Sequence, residues 1–225
     1  MIIQILSNLF EEGYLNREEY SLVSPFFAGA NVAFRSQALR QVGSYDENCC
    51  TGEDQDMCLR IADAGWELYF EPEAKVRHKN RLTPRSLVRQ WFGYGFHHPY
   101  VFKKHSTKGI RVYRANKRSE NGAIYKSLLD SRFPFHISIF LTPFLAMHIL
   151  LALTILFAVI GLHVPGIIGG VAILAIAAFY FKSDINPKNL LQSSKFIFLR
   201  YVANLALMLG GFLGGAKLGM LYINA

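Results

Sequence analysis

Glu53, Asp54 and Asp56 place three carboxylates within four residues, directly after Thr51 and Gly52. A carboxylate within hydrogen-bond reach of an alcohol can take its proton while the oxygen attacks an electrophilic carbon. The cluster also has a purely structural use. Thr51 and Asp54 stand at capping-box spacing, and acidic side chains are stabilised at a helix N-terminus. Base chemistry needs companions, and several are present. Gly29, Ala30 and Asn31 form a small-residue stretch upstream, where a missing side chain lets backbone come close to a ligand. His78 ends the strand-like run EAKVRH with a ring able to ligate a metal. Arg89, Gln90 and Trp91 add a cation, an amide and an aromatic ring further on.

The elements that must position these residues alternate between strand and helix. Residues 2–12 read as a short helix, and residues 25–34 as a buried strand interrupted at Gly29 and Asn31. Ser36–Val42 reads as a helix with Ser36 as its cap and Gly43 as its stop. Residues 52–64 form the clearest helix, with apolar Met57, Leu59, Ile61 and Ala62 and a terminating Gly65. Residues 66–70 and 74–76 read as short strands around Pro72. Such alternation predicts an α/β layer, with the acidic cluster at the opening of its clearest helix.

In order and spacing, the runs SPFFAGANVAFRSQALRQVGSYDE, GEDQDMCLRIADAGWELYFEPEAKVRH and SLVRQWFGYG resemble the C-terminal half of a family 2 glycosyltransferase. The resemblance covers roughly residues 24–100. It implies part of a GT-A fold, a Rossmann-like α/β sandwich that binds a nucleotide-sugar donor and is often fused to membrane helices. It further implies that Gly29, Ala30 and Asn31 approach the donor sugar, that Asp54 is similar to the family's catalytic base, and that Glu53 completes the acidic pair. By the same resemblance His78 matches a ligand to a divalent metal, magnesium or manganese. Gln90 and Trp91 fall where the family often carries a Gln-x-x-Arg-Trp motif, but Gly93 and Tyr94 replace its last two residues, leaving Arg89 or Arg85 as substitute cations. About 24 residues precede the match, too few for the half that holds the nucleotide and the main metal carboxylates. The expectation is therefore a truncated enzyme, a fragment with a misplaced start, or one half of a split transferase that works with a complementary N-terminal chain.

Charge divides the sequence. Residues 1–134 carry 19 basic and 15 acidic side chains, residues 135–225 carry five and one, and 49 residues between Arg132 and Lys182 carry none. That pattern excludes both an ordinary soluble monomer and a disordered chain. We expect a transferase module over residues 1–105, a basic interfacial linker over 106–134 and a helical membrane domain over 135–225. About three spans are expected there: residues 135–162, Val164–Phe181 and 196–223. The GLHVPG turn has no Lys or Arg, while the next loop holds Lys182, Lys188 and Lys195. The positive-inside rule then puts that loop and the module in the cytoplasm, and the last residues on the far side. Gly210, Gly211, Gly214 and Gly215 suit close helix packing. Between Glu73 and Glu120 lie 13 Lys and Arg, no acidic residue and interleaved aromatics, which read as a helix on anionic lipid or equally as a solvated positive-inside flank, ahead of nucleic-acid binding. Three cysteines without CxxC spacing read as reduced structural thiols. The function expected is membrane-bound inverting transfer of a sugar from a nucleotide-sugar to a lipid-linked or polysaccharide acceptor. The alternative is an inactive membrane-anchored module that docks a partner.

Overall fold

The computed structural model describes residues 13–15, 27, 29–71, 73–76, 83–119 and 122–224. Strand β1 (Gly13–Leu15) pairs antiparallel with β2 (Leu68–Phe70). Between them lie a single 3-10 turn at Gly29–Asn31 and the helices α1 (Ser36–Val42) and α2 (Glu53–Asp63). Apolar residues of α2 explain its seat: Met57, Leu59, Ile61 and Ala62 are buried and form one core with Ala38, Leu68 and Phe70. Glycines end both helices. Gly43 and Gly65 take φ of 83° and 86°, left-handed values that side-chain-bearing residues avoid.

Helix α3 (Pro84–His105) opens on Thr83, whose side chain accepts from the Ser86 N–H, with Pro84 at the first position. It leads into the hairpin β3 (Gly109–Ser119) and β4 (Gly122–Arg132), then β5 (His136–Leu141). Three helices follow: α4 (Pro143–Val159), α5 (His163–Phe181) and α6 (Leu190–Lys217). The last strand, β6 (Met220–Ile223), returns to the sheet. Strand order is β4-β3-β5-β6, with β5 parallel to both β3 and β6. Phe102 of α3 packs with Tyr113, Phe140, Met220 and Tyr222 to close a second core under this sheet.

Glycine decides how α3 meets α6. A Cβ on Gly95 would overlap the Leu207 carbonyl, and one on Gly210 or Gly214 would overlap the Phe92 or Phe96 carbonyl. The two helices therefore cross backbone on backbone, the packing that the small-residue spacing suggested. Gly211 and Gly215 serve the other side of α6, where the Tyr222 side chain lies against them.

Several sequence expectations need correction. Residues 29–35 form the 3-10 turn and an irregular link, not a strand, because Gly29 and Asn31 turn toward α2 and Ala74. Ser36 is the first helical residue and Arg35 the cap, without a side-chain bond. Residues 74–76 are not a strand, and β2 is limited to Leu68–Phe70. The helix expected over residues 2–12 lies outside the described residues. The first expected span begins instead with strand β5, leaving α4 only 17 residues. Among the described residues, α5 and α6 are the helices long and apolar enough to cross a membrane. The third expected span ends at Lys217, and the chain turns at Gly219 (φ 68°) into β6. Met220 pairs with His136, so residues 220–223 belong to the same sheet as β3.

Candidate active site

Asp54 stands in the first turn of α2, next to Gly52, the N-cap, whose φ of 82° and ψ of 13° place it in the left-handed region. No side chain caps this helix, so the Thr51–Asp54 capping box is not formed. The Asp54 carboxylate is used otherwise. Its Oδ2 accepts from the Gly29 N–H at 2.9 Å, and its Oδ1 accepts from the Gln55 N–H at 2.8 Å. Each oxygen keeps a lone pair for a further donor. Burial raises the carboxyl above its ordinary range, opposed by the hydrogen bonds from Gly29 and Gln55. Held by two backbone groups and biased toward a proton, Asp54 has the character a general base requires.

The Gly29 turn thus positions the carboxylate. A Cβ on Gly29 would meet Asp54 at 3.6 Å, an ordinary contact, so space at Asp54 does not demand glycine. Asn31 ties the turn to the Ala74 carbonyl, while Ala30 is exposed beside it. Glu53, half-buried, adjoins Asp54 and raises it further.

Asp56 has a different task. Its buried carboxylate receives Arg60 Nε at 2.9 Å, Lys104 Nζ at 2.9 Å and His105 Nε2 at 2.7 Å. Burial would raise it, but hydrogen bonds from Lys104 and His105 outweigh that and hold it below the usual carboxylate range. Lys104 also reaches Asp46 Oδ2 at 2.6 Å, where the Tyr100 hydroxyl donates at 2.9 Å. These pairs clamp α2 and the preceding loop onto α3.

The sequence-predicted residues are only partly brought together. Gly29, Asn31, Glu53 and Asp54 share one neighbourhood. Gln90 donates to the Tyr94 hydroxyl at 2.6 Å, and the Trp91 ring meets Tyr94 edge-on at 6.1 Å. Both partners are on α3 itself, and no hydrogen bond joins Gln90, Trp91 or the exposed Arg89 to Asp54 among the described residues. His78 lies outside the described residues. Among those described, no three His, Cys, Asp or Glu side chains stand as a metal site. Asp56 is already neutralised by cations, so the described residues do not fit a divalent metal. Cys49, Cys50 and Cys58 are in no disulfide, and burial pushes Cys49 up to about 12, which suits a structural role.

One constellation escaped the sequence reading. His98 Nε2 lies 3.0 Å from Gln55 Oε1, and His98 Nδ1 lies 2.7 Å from the Tyr222 hydroxyl. The three residues are separated by 43 and 124 positions, and an isolated His-His-Pro on an aromatic helix carries no spacing signal. Burial pulls the His98 imidazole down to about 4, so it is neutral at physiological pH.

A family model described as glycosyl transferase family group 2 matches residues 11–179, more than half of the 225-residue chain. Among characterised proteins, a pre-mycofactocin glycosyltransferase of Mycobacterium tuberculosis is 40% identical over 76 residues, covering 34% of this chain and 16% of that protein. An O-antigen chain rhamnosyltransferase of Salmonella anatum is 30% identical, with 32% of this chain and 23% of the relative covered. A succinoglycan biosynthesis protein of Rhizobium meliloti is also 30% identical, with coverages of 37% and 26%. This chain therefore spans between 16% and 26% of the length of these relatives. No solved structure matches. The family match takes in the Gly29 turn, Asp54, α3, α4 and most of α5, and on that ground the chain belongs to glycosyl transferase family group 2.

Proposed function

We propose that this chain carries the base of an inverting sugar transfer from a nucleotide-sugar donor to a lipid-linked or glycan acceptor at a membrane face. The observation that carries the reading is the Asp54 carboxylate, fixed by Gly29 and Gln55 and raised by burial. Asp54 takes the proton of the acceptor hydroxyl as that oxygen bonds to the anomeric carbon. The bond from that carbon to the nucleoside diphosphate breaks, and the diphosphate leaves with the electron pair. Glu53 orients the acceptor, and the Gly29-Ala30-Asn31 turn meets the donor sugar. Arg89, Gln90 and Trp91 form a more distant part of the binding surface on α3. Relatives named for O-antigen and succinoglycan support a glycan acceptor.

The membrane element of this proposal is the α4–α5 pair, joined by a turn at Gly161 that has no Lys or Arg nearby. The module and the loop bearing Lys182 and Lys188 face the cytoplasm.

The decisive experiment is Asp54→Asn in the purified membrane enzyme, reconstituted to full length with the nucleotide-binding half. Turnover should fall by about 100-fold or more, with donor affinity nearly unchanged. Glu53→Gln should cost less. Near wild-type turnover in Asp54→Asn would leave the carboxylate as a structural strut and favour the docking-module alternative.

A further inference from the structure

His98 touches none of the groups that the transfer uses, yet it is wired to the turn that holds the base. Gln55, only 2% exposed, gives its backbone N–H to Asp54 and its side-chain oxygen to His98. On the other side of the ring stands Tyr222, which is fully buried. The helix cap is seated on the same place: a Cβ on Gly52 would meet Val101 at 3.0 Å and the His98 ring at 3.9 Å. The ring is flanked edge-on by Phe102 at 5.3 Å and by the Tyr222 ring at 6.0 Å. Tyr222 in turn lies on Gly211 and Gly215 of α6.

The hydrogen bonds have one consistent direction. With the Gln55 carbonyl oxygen facing it, Nε2 carries the proton and donates. Nδ1 must then accept from the Tyr222 hydroxyl. We propose that His98 is a positioning residue for the transfer: the Gln55–His98–Tyr222 bridge fixes the first turn of α2, and with it the Asp54 carboxylate, to the strand that folds back on α6. The inference rests on the reading of Asp54 as the base. It makes the seating of β6 a condition for an aligned base, 168 residues away in sequence (222 − 54). Polar side chains are used at both ends of the bridge although apolar ones would fill the same core, and their cost is met only while all three partners stay in register.

Two measurements test this in the purified membrane enzyme. The first is the nitrogen-15 spectrum of labelled histidine, with the His98 signal assigned by its loss in His98→Gln. The wild type should show the Nε2–H tautomer, and Tyr222→Phe should move it. A wild-type Nδ1–H tautomer or a charged ring at neutral pH overturns the bridge. The second is the pH profile of kcat in Tyr222→Phe and in the volume-conserving Gln55→Met. Each should lower kcat by about tenfold with donor KM within about twofold, because a misplaced base costs rate more than binding. Each should also move the acidic limb upward, since Asp54 loses part of the hydrogen bonding that opposes its raised pKa. Glu53 and Tyr45, the titratable groups that face Asp54, are unchanged in both variants. The double variant should be no worse than either single one, because all three remove one bridge. A kcat loss that only tracks the lost folded fraction, with the limb in place, overturns the proposal. Asp54→Asn separates the two readings. If it abolishes turnover while the bridge variants leave the limb unmoved, the positioning role alone fails. If it retains turnover, the base reading fails and takes the positioning role with it.

Discussion

Asp54 and Asp56 stand two positions apart on one helix and make opposite contributions to the molecule. Asp54 has its folded pKa raised by burial. It therefore contributes stability that is present below the ordinary carboxylate value and lost as pH rises through the raised one. Asp56, held low by Lys104 and His105 against its own burial, contributes stability present above the ordinary value and lost as pH falls through the depressed one. At pH 7 the signs differ. Asp54→Asn should change the melting temperature little, since the amide oxygen can still accept from Gly29 and removal of the buried charge offsets the lost acceptor for the Gln55 N–H. Asp56→Asn should lower stability by about 3 kcal/mol, because it leaves Arg60, Lys104 and His105 converging on a neutral group. Thermal melts of both variants at pH 7 check this, and equal destabilisation would contradict it. Activity should carry the matching signature: the acidic limb of kcat should lie above the ordinary carboxylate range of about 4. A limb at or below that range would mean that Asp54 is not the titrating base. The types and order of Gly29, Glu53 and Asp54 were legible in the sequence. The division of labour between the carboxylates was not, because Lys104 and His105 reach Asp56 only after α3 has docked.

Element boundaries were readable where local chemistry sets them. Ser36–Val42 ends at Gly43 as its residues suggest, though its cap is Arg35 in place of Ser36, and Gly65 follows the end of α2. They were unreadable where an apolar run is neither periodic nor interrupted. Residues 135–162 read as one continuous span, but β3 claims the first part as a parallel strand, Ile137 beside Ile110 and Ile139 beside Val112. Hydrophobicity alone cannot separate a strand buried in a sheet from a helix buried in lipid. The glycines of α6 gave a spacing and no partner. Their partner is α3, and the structure turns a vague packing motif into a specific requirement. Gly214→Ala would drive a methyl into the Phe96 carbonyl, so α3 and α6 must separate or shift. We expect the detergent-solubilised protein to lose several degrees of melting temperature, with a parallel loss of transfer because α3 also seats α2. Gly170→Ala on α5 is the control: nothing lies within 4 Å of its added methyl, and helix propensity favours alanine. Equal effects of the two substitutions would mean that the α3–α6 crossing does not hold the fold together.

At the scale of the whole molecule, contacts between distant segments show how the apolar helices are tied to the sheet, and so bear on the topology proposed above. Thr142 links β5 directly to α4, so α4 starts at the sheet. Helix α5 ends near the same level: the Phe144 and Tyr180 rings are 6.1 Å apart. The Lys182–Asp184 turn follows, with Asp184 paired to Arg200 of α6. His148 and Tyr201, 3.0 Å apart, join α4 to α6 close to that pair. At its other end α6 runs into β6, which is hydrogen-bonded to β5. Helix α6 is thereby tied to the sheet at its C-terminal end and to α4 and the Lys182–Asp184 turn at Arg200 and Tyr201, and its 28 residues are long enough to span. One face of α6 is spent on α3, and exposed Leu191, Phe198, Leu209 and Phe212 are turned outward. In the arrangement proposed above the α4–α5 pair enters lipid, although α4, at 17 residues, is shorter than α5 and α6. Three apolar runs in the sequence pointed to an odd number of crossings, a reading made without the pairing of residues 220–223 with residues 136–139. The proposed arrangement predicts an even number. A reporter fused after Ala225 should read on the same side as one inserted in the loop at Asn186–Lys188. A reporter in the turn at Gly161 should read on the opposite side. If the Ala225 fusion instead sided with Gly161, β6 could not be paired with β5, and the bridge from Tyr222 through His98 to the turn that holds Asp54 would be broken with it.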